Sequence, residues 1–214
     1  VTYGSVLKTA KASTITLPAD WVGDRSFVVK TVDANGNKST GYTKTVTKLL
    51  PNAPTASSFV VNQGVLELDW NDAAKTTLPI WGYEVRDDTN FGASDFIFKG
   101  AVSKCSIPSA LMNVGSNVFY IKTIDTDSNN SSAYLTATHT YNAVTNTSSV
   151  SYTFNDSTTT SATVTLDWND VTSQYPVKSY SVSDGVTSKT VNASTITLAA
   201  GWVGNKTFTI RTVD

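Results

Sequence analysis

The chain has one cysteine, one histidine and one methionine, and only 15% of its 214 residues are charged. Each shortage excludes something. A lone Cys105 builds no disulfide framework, and its place in the strand-like stretch SKCSI marks it as a small buried hydrophobe. A lone His139, with no second His, no Cys and no Ser-His-Asp arrangement around it, leaves zinc ligation and nucleophilic catalysis without their parts. The net charge of −1 offers nothing to nucleic acid or to an anionic membrane. No apolar run approaches the ~18 residues of a spanning helix. No glycine-rich phosphate loop follows a strand and opens a helix. Asp87 and Asp88 are adjacent, so on a strand they point to opposite faces and make a poor acid–base pair. No catalytic residue, metal or cofactor is implied.

What fills the space is Thr, Ser and Asn. Their β-branched or backbone-competing side chains weaken helices and suit half-buried strands and turns. The sequence also repeats itself. ASTITLPADWVG at Ala12 returns as ASTITLAAGWVG at Ala193, and the match runs without a gap from Val1/Val182 to Asp33/Asp214. A weaker copy lies between them, where Ile107, Val114, Gly115, Phe119 and the stretch KTID take the places of Ile15, Val22, Gly23, Phe27 and KTVD. A second signature, LELDWND at Leu66, returns as VTLDWND at Val164, each followed by Pro and then Tyr: Pro79 and Tyr83, Pro176 and Tyr180. Three copies of one unit, roughly 90 residues apart, fit a string of whole domains rather than a solenoid with its period of about 20 to 50.

The middle copy, from about Pro51 to Tyr141, reads as seven short strands. They are SFVVN, VLELDW, GYEVR, DFIFKG, KCSIP, SNVFYIKTID and AYLTATHTY. In the second, Leu66, Leu68 and Trp70 share a face and Glu67 and Asp69 take the other. Tyr83 and Val85 point inward from the third, and Phe119, Ile121 and Thr123 from the sixth. Polar turns separate the strands, DDTNFGAS and DTDSNNSS among them. Short strands with turn signals and no helical period predict an antiparallel two-sheet sandwich.

The Trp ending the second strand, the Tyr in the third, and F.IKT.D followed by GN.S resemble the fibronectin type III fold, an immunoglobulin-like sandwich. The wording LDW…PIWGYEVR with G..F.IKTVDANGNKS resembles more narrowly the type III domains strung along tail-tip and tail-fibre proteins of tailed bacteriophages, the host-specificity protein J class among them. Secreted bacterial carbohydrate enzymes carry similar modules. The middle copy departs from the pattern: LMNVG at Leu111 replaces the Trp of WVG, and DTDSNNS replaces DANGNKS.

The expected division is the C-terminal half of a first domain over 1–50, a complete second domain over 51–141, and a third over 142–214 lacking its last strand. A chain cut inside domains at both ends reads as part of a longer polypeptide. The resemblance implies a non-enzymatic spacer or adhesion module of a phage tail tip or tail fibre, in the virion and outside the cell. Its partners would be other virion tail proteins and a host receptor or glycan, and it would form a homotrimer. The alternative is an accessory rod of a secreted bacterial carbohydrate-active enzyme or surface adhesin. Of the linkers, LLPNAPT (Leu49 to Thr55) is stiffened by two prolines, whereas YNAVTNTSS (Tyr141 to Ser149) has none and is expected to bend more.

Phase assigns Trp70 and Trp168 to the core with Tyr83, Tyr180, Phe27, Phe119 and Phe208. Trp21 and Trp202, each before a tight VG turn, either pack under a sheet corner or stack on a ligand. Parity with Tyr83 puts Trp81 on the core side or its rim, and makes it the first candidate for a domain–domain contact. The DTDSNN and DANGN turns have oxygen ligands at alternate positions, as calcium loops do, but lack the later bidentate Glu; Asx turns are a sufficient reason for them. Asn71/Asp72 and Asn169/Asp170 are expected to start their loops by bonding local backbone amides.

Overall fold

The structure is a computed structural model and describes residues 1–91, 93–155 and 162–213. Gly92, in the expected turn over 87–94, and Asp214, the last residue of the repeat match, lie outside the described residues. The strands are β1 (Thr2–Tyr3), β2 (Val6–Leu7), β3 (Gly23–Val29), β4 (Tyr42–Lys48), β5 (Ser57–Asn62), β6 (Val65–Trp70), β7 (Ile80–Arg86), β8 (Phe98–Gly100) and β9 (Lys104–Ile107). They continue with β10 (Gly115–Asp125), β11 (Leu135–Tyr141), β12 (Val150–Asn155), β13 (Thr163–Trp168), β14 (Ser179–Ser183), β15 (Ser188–Val191), β16 (Thr195–Ala199) and β17 (Thr209–Val213). The only helical element among the described residues is one short 3₁₀ turn, Ser109–Leu111.

The first repeat forms a sheet of order β2-β1-β3-β4. The middle repeat forms β5-β6-β9 and β11-β10-β7-β8, and the third forms β12-β13-β16 and β15-β14-β17. The pairs β1–β2, β1–β3, β3–β4, β7–β8, β7–β10, β12–β13, β13–β16, β14–β15 and β14–β17 are antiparallel. In each of the last two repeats the first, second and fifth strands make one sheet, and the third, fourth and sixth belong to the other. That is the strand order of tandem fibronectin type III sandwiches, and the chain is all-β.

Local chemistry sets the register. β5 and β6 are joined by Gln63 and Gly64 alone, with φ of 49° and 83°. Two positive φ values in a two-residue loop turn the chain with the twist of its flanking strands. Gly82 in β7 lies against β8 so closely that a Cβ there would stand 2.2 Å from the Gly100 carbonyl oxygen. The β7–β10 register shifts at Ile124/Asp125, which pair with Gly82 and Ile80, so Trp81 is left without a partner. Such a bulge reverses the alternation beyond it. Trp81 is 48% exposed, which fits the rim rather than the core of the two places its parity with Tyr83 allowed.

By contact the chain resolves into two compact units: Val1–Ser58, Asp69–Cys105 and Val118–Ala137 in one, Phe59–Leu68, Ser106–Asn117 and Thr138–Asp214 in the other. In the first unit, Tyr3 and Phe27 are buried 5.4 Å apart, and Trp21 lies edge-on to Phe27 at 5.5 Å. Trp70, at the end of β6, meets Tyr83 of β7 at 5.4 Å and Phe98 of β8 at 6.1 Å, so strands of both sheets contribute to one core. In the second unit, Val164, Leu166 and Trp168 of β13 bury against Tyr180 and Val182 of β14, with Phe208 and Trp202 packed on them.

The inner face of β12 is different. Val150, Tyr152 and Phe154 pair with Trp168, Leu166 and Val164 and so share the core face, yet Tyr152 is 67% and Phe154 58% exposed. On β5, Phe59 lies 5.0 Å from the His139 ring of β11 and is half-buried. The strand neighbouring β10 thus reaches β5 in the middle repeat, and no described strand does the same for β12.

Candidate functional site

Tyrosine clamps hold the loops that open after the LDW strands. The Tyr83 hydroxyl donates to Asp72 Oδ1 at 2.9 Å and accepts the Ala73 amide at 3.1 Å. The third repeat copies this: Tyr180 donates to Asp170 Oδ1 at 3.5 Å and accepts the Val171 amide at 3.4 Å. The carboxylates thus meet a phenol and the phenol meets the amide, rather than Asp bonding the amide itself. Burial, with the Asp72 carboxylate as a lesser contributor, raises the Tyr83 pKa and keeps the hydroxyl protonated as a donor.

The two calcium-like turns are closed by their own aspartates. Asp33 Oδ1 accepts the amides of Asn35 at 2.9 Å and Asn37 at 2.8 Å, while the Asn37 side chain donates to Oδ2 at 2.8 Å. Asp125 Oδ1 accepts the Asp127 and Asn129 amides, both at 2.9 Å. These bonds hold the Asp33 carboxyl below the usual range, the Asn37 side chain contributing most. Asp88 likewise accepts the Asn90 amide at 2.9 Å, a turn-forming role.

The outer face of β7 holds a feature that alternation did not reveal. Glu84 and Arg86 point away from Tyr83 and Val85, yet are 0% and 1% exposed. Arg86 Nε donates to Glu84 Oε1 at 2.6 Å, Nη1 to Asp95 at 2.8 Å, and Nη2 to the Ala93 carbonyl. Lys99 Nζ stands 3.1 Å from Glu84 Oε2. Phe91 covers the cluster: Lys122 Nζ lies 4.9 Å and the Arg86 guanidinium 6.0 Å from its ring, and Tyr134 stacks on it at 6.2 Å. The cover comes from loops, which period-two reasoning does not see. The only sequence signal was an Arg and a Glu two apart on a strand.

The expected site residues divide. Trp70, Trp168, Tyr83, Tyr180, Phe27 and Phe119 are buried, and Phe208 is half-buried on its cluster. Trp21 and Trp202 are half-buried at corners, each with a cation over its ring: Arg25 at 4.8 Å and Lys206 at 5.4 Å. Trp202 also rests 5.8 Å from Phe208. Each is packed from below and capped by a cation above. Cys105 is buried, which pushes its thiol up to about 12.

Consecutive repeats are tied by side chains the motifs did not include. In the first unit, the buried Lys48 at the end of β4 donates to the Ala19 carbonyl and to Asp127 Oδ2, both at 2.6 Å. The following linker is held by the loop after β6: the Leu49 amide donates to Thr77 at 2.8 Å, and Thr76 donates to the Leu50 carbonyl at 2.9 Å. Pro51 and Pro54 are buried. In the second unit, Gln174 accepts the Asn142 amide at 3.0 Å and donates to the Thr140 carbonyl at 3.0 Å. Tyr175 meets Tyr141 edge-on at 5.3 Å. Beside this tie opens a cleft of about 750 Å³ lined chiefly by Val65, Ile107, Pro108, Met112, Tyr141 and Tyr175.

No protein-family model matches the chain, and no curated protein matches it. Among solved structures, it is similar to the chicken CNTN1 FN1-FN3 domains, with 15% identity over 88% of this chain and 71% of that one and a TM-score of 0.33. It is also similar to the chicken interferon gamma receptor alpha chain, with 18% identity over 76% of this chain and 82% of that one and a TM-score of 0.31. At these scores the fold rests on the strand order described above.

Proposed function

We propose that the chain is a non-enzymatic structural segment that spaces and orients other parts of a longer assembly. The observation that carries this reading is the pair of inter-repeat ties, Lys48 with Asp127 and Gln174 with the β11 end, because a spacer must hold each sandwich against the next. The functional units are type III-like domains with bounds near 1–50, 51–141 and 142–214. Within that role, the wording of the LDW and IKTVDANGNKS motifs supports a tail tip or tail fibre of a tailed phage. There the partners are other tail proteins and a host receptor or glycan met through loops, and the resemblance supports a homotrimer.

The test is sedimentation of the native material that carries the chain. Travel with a very large, nucleic-acid-containing particle supports the virion assignment. Travel as a soluble protein of ordinary size overturns it, and leaves the accessory rod of a secreted bacterial enzyme or adhesin. A hydrolase activity of the chain, lost on Asp87→Asn or His139→Asn, would overturn the non-enzymatic part of the reading.

A further inference from the structure

His139 stands at the tie between β11 and the segment before β14. Its ring lies 5.0 Å from Phe59, its Nε2 is 3.2 Å from the Gln174 side-chain nitrogen, and the Tyr175 hydroxyl is 3.4 Å from the same atom. The orientation of the Gln174 amide is fixed by its other bonds. Its oxygen faces the Asn142 N–H, which can only donate, and its nitrogen faces the Thr140 carbonyl, which can only accept. The nitrogen therefore presents N–H to His139. The ring must answer with the Nε2 lone pair and carry its single proton on Nδ1.

A protonated ring has no lone pair to offer. It would set an N–H against the N–H of Gln174, and Gln174 cannot turn over without breaking both backbone bonds. The described elements that touch the ring supply no compensating charge. β11 carries no acidic or basic residue besides the histidine, β5 carries none, and the stretch 171–177 carries none. The titratable group facing the ring is the Tyr175 hydroxyl, which burial keeps in its neutral form.

We propose that His139 and Gln174 form a pH-sensitive latch: the neutral imidazole closes the tie between β11 and the 171–177 segment, and protonation opens it. The sign is fixed by linkage. Burial lowers the ring's pKa in the closed state, so the latch contributes fully above the ordinary histidine pKa of about 6.5 and weakens as the pH falls through the closed-state value. One proton limits the effect to about tenfold in closure per pH unit.

The test follows amide hydrogen exchange in the whole chain from pH 7.5 to 5.0, corrected for the intrinsic pH dependence of exchange. The Asn142 amide should lose protection by about three- to tenfold, while the core amides of Val164 and Leu166 hold theirs. His139→Asn should abolish the pH dependence at Asn142. Gln174→Glu should reverse it, because a carboxylate facing the ring favours the imidazolium. A flat profile in the native chain overturns the latch. So does an unchanged pH dependence in His139→Asn, or parallel loss in the Val164 and Leu166 amides, which would report global unfolding.

Discussion

Trp70 and Trp168 occupy equivalent places, and each buries an indole N–H that finds no acceptor among the described residues. Their contribution is therefore packing, and it should depend on volume rather than on hydrogen bonding. Trp168→Ala is expected to cost about 3–5 kcal/mol and Trp168→Phe much less, read from urea unfolding midpoints at constant m. Equal losses would show that the indole N–H carries the effect. The Glu84–Arg86 pair behaves otherwise. Arg86→Met removes the buried partner of Glu84 and leaves its carboxylate to Lys99, whose side chain is partly exposed, so it should cost about 3 kcal/mol, whereas Arg86→Met with Glu84→Leu should recover most of it. A double-mutant cycle with no coupling would show the pair to be solvated. The sequence placed the tryptophans by phase. It could not place the pair, because an outward position on a strand reads as wet until a loop such as the one bearing Phe91 covers it.

Strands depend on partners as much as on letters. STITL at Ser13 to Leu17 forms no strand, whereas the same five residues at Ser194 to Leu198 lie in β16 but for the first. β16 pairs along its length with β13, whereas residues 1–50 hold no strand in the place of β13. The same rule explains why β3, flanked by β1 and β4, begins at Gly23, while its sequence equivalent β17, paired with β14 alone, begins only at Thr209. Sheet propensity is the fit to a neighbouring surface rather than a property of the segment. Alternation located the strands of the middle repeat, but it could not foresee the bulge that leaves Trp81 without a cross-strand partner. β12 presents the converse case: Tyr152 and Phe154 share the core face yet stand largely exposed, with the Trp202 ring 6.4 Å from Phe154. Tyr152→Thr with Phe154→Thr should leave the unfolding midpoint nearly unchanged while reducing binding of an apolar dye and self-association. A large loss of stability would mean that the two rings are already covered within the folded chain.

At the scale of the whole chain, the repeats were legible and the ties between them were not. Prolines in a linker describe its own backbone; the holding bonds come from Thr76, Thr77 and Gln174, polar loop residues like many others in this composition. Lys48 is the strongest case. Its ammonium is buried and has two acceptors, the Ala19 carbonyl and the Asp127 carboxylate, which belong to different repeats. Asp127→Ala removes the countercharge and leaves a buried ammonium with one carbonyl, at an expected cost of about 1–3 kcal/mol. Lys48 is shielded from solvent while the Asp127 side chain is 43% exposed, so added salt should weaken the native tie less than it weakens a fully exposed ion pair. The expected result is faster proteolytic cleavage between Leu49 and Thr55 in Asp127→Ala, at low and high salt alike, with core protection elsewhere unchanged. Cleavage at the native rate would mean that the linker's own bonds to Thr76 and Thr77 suffice, and that Lys48 serves only to fasten the Ala19 corner to β4.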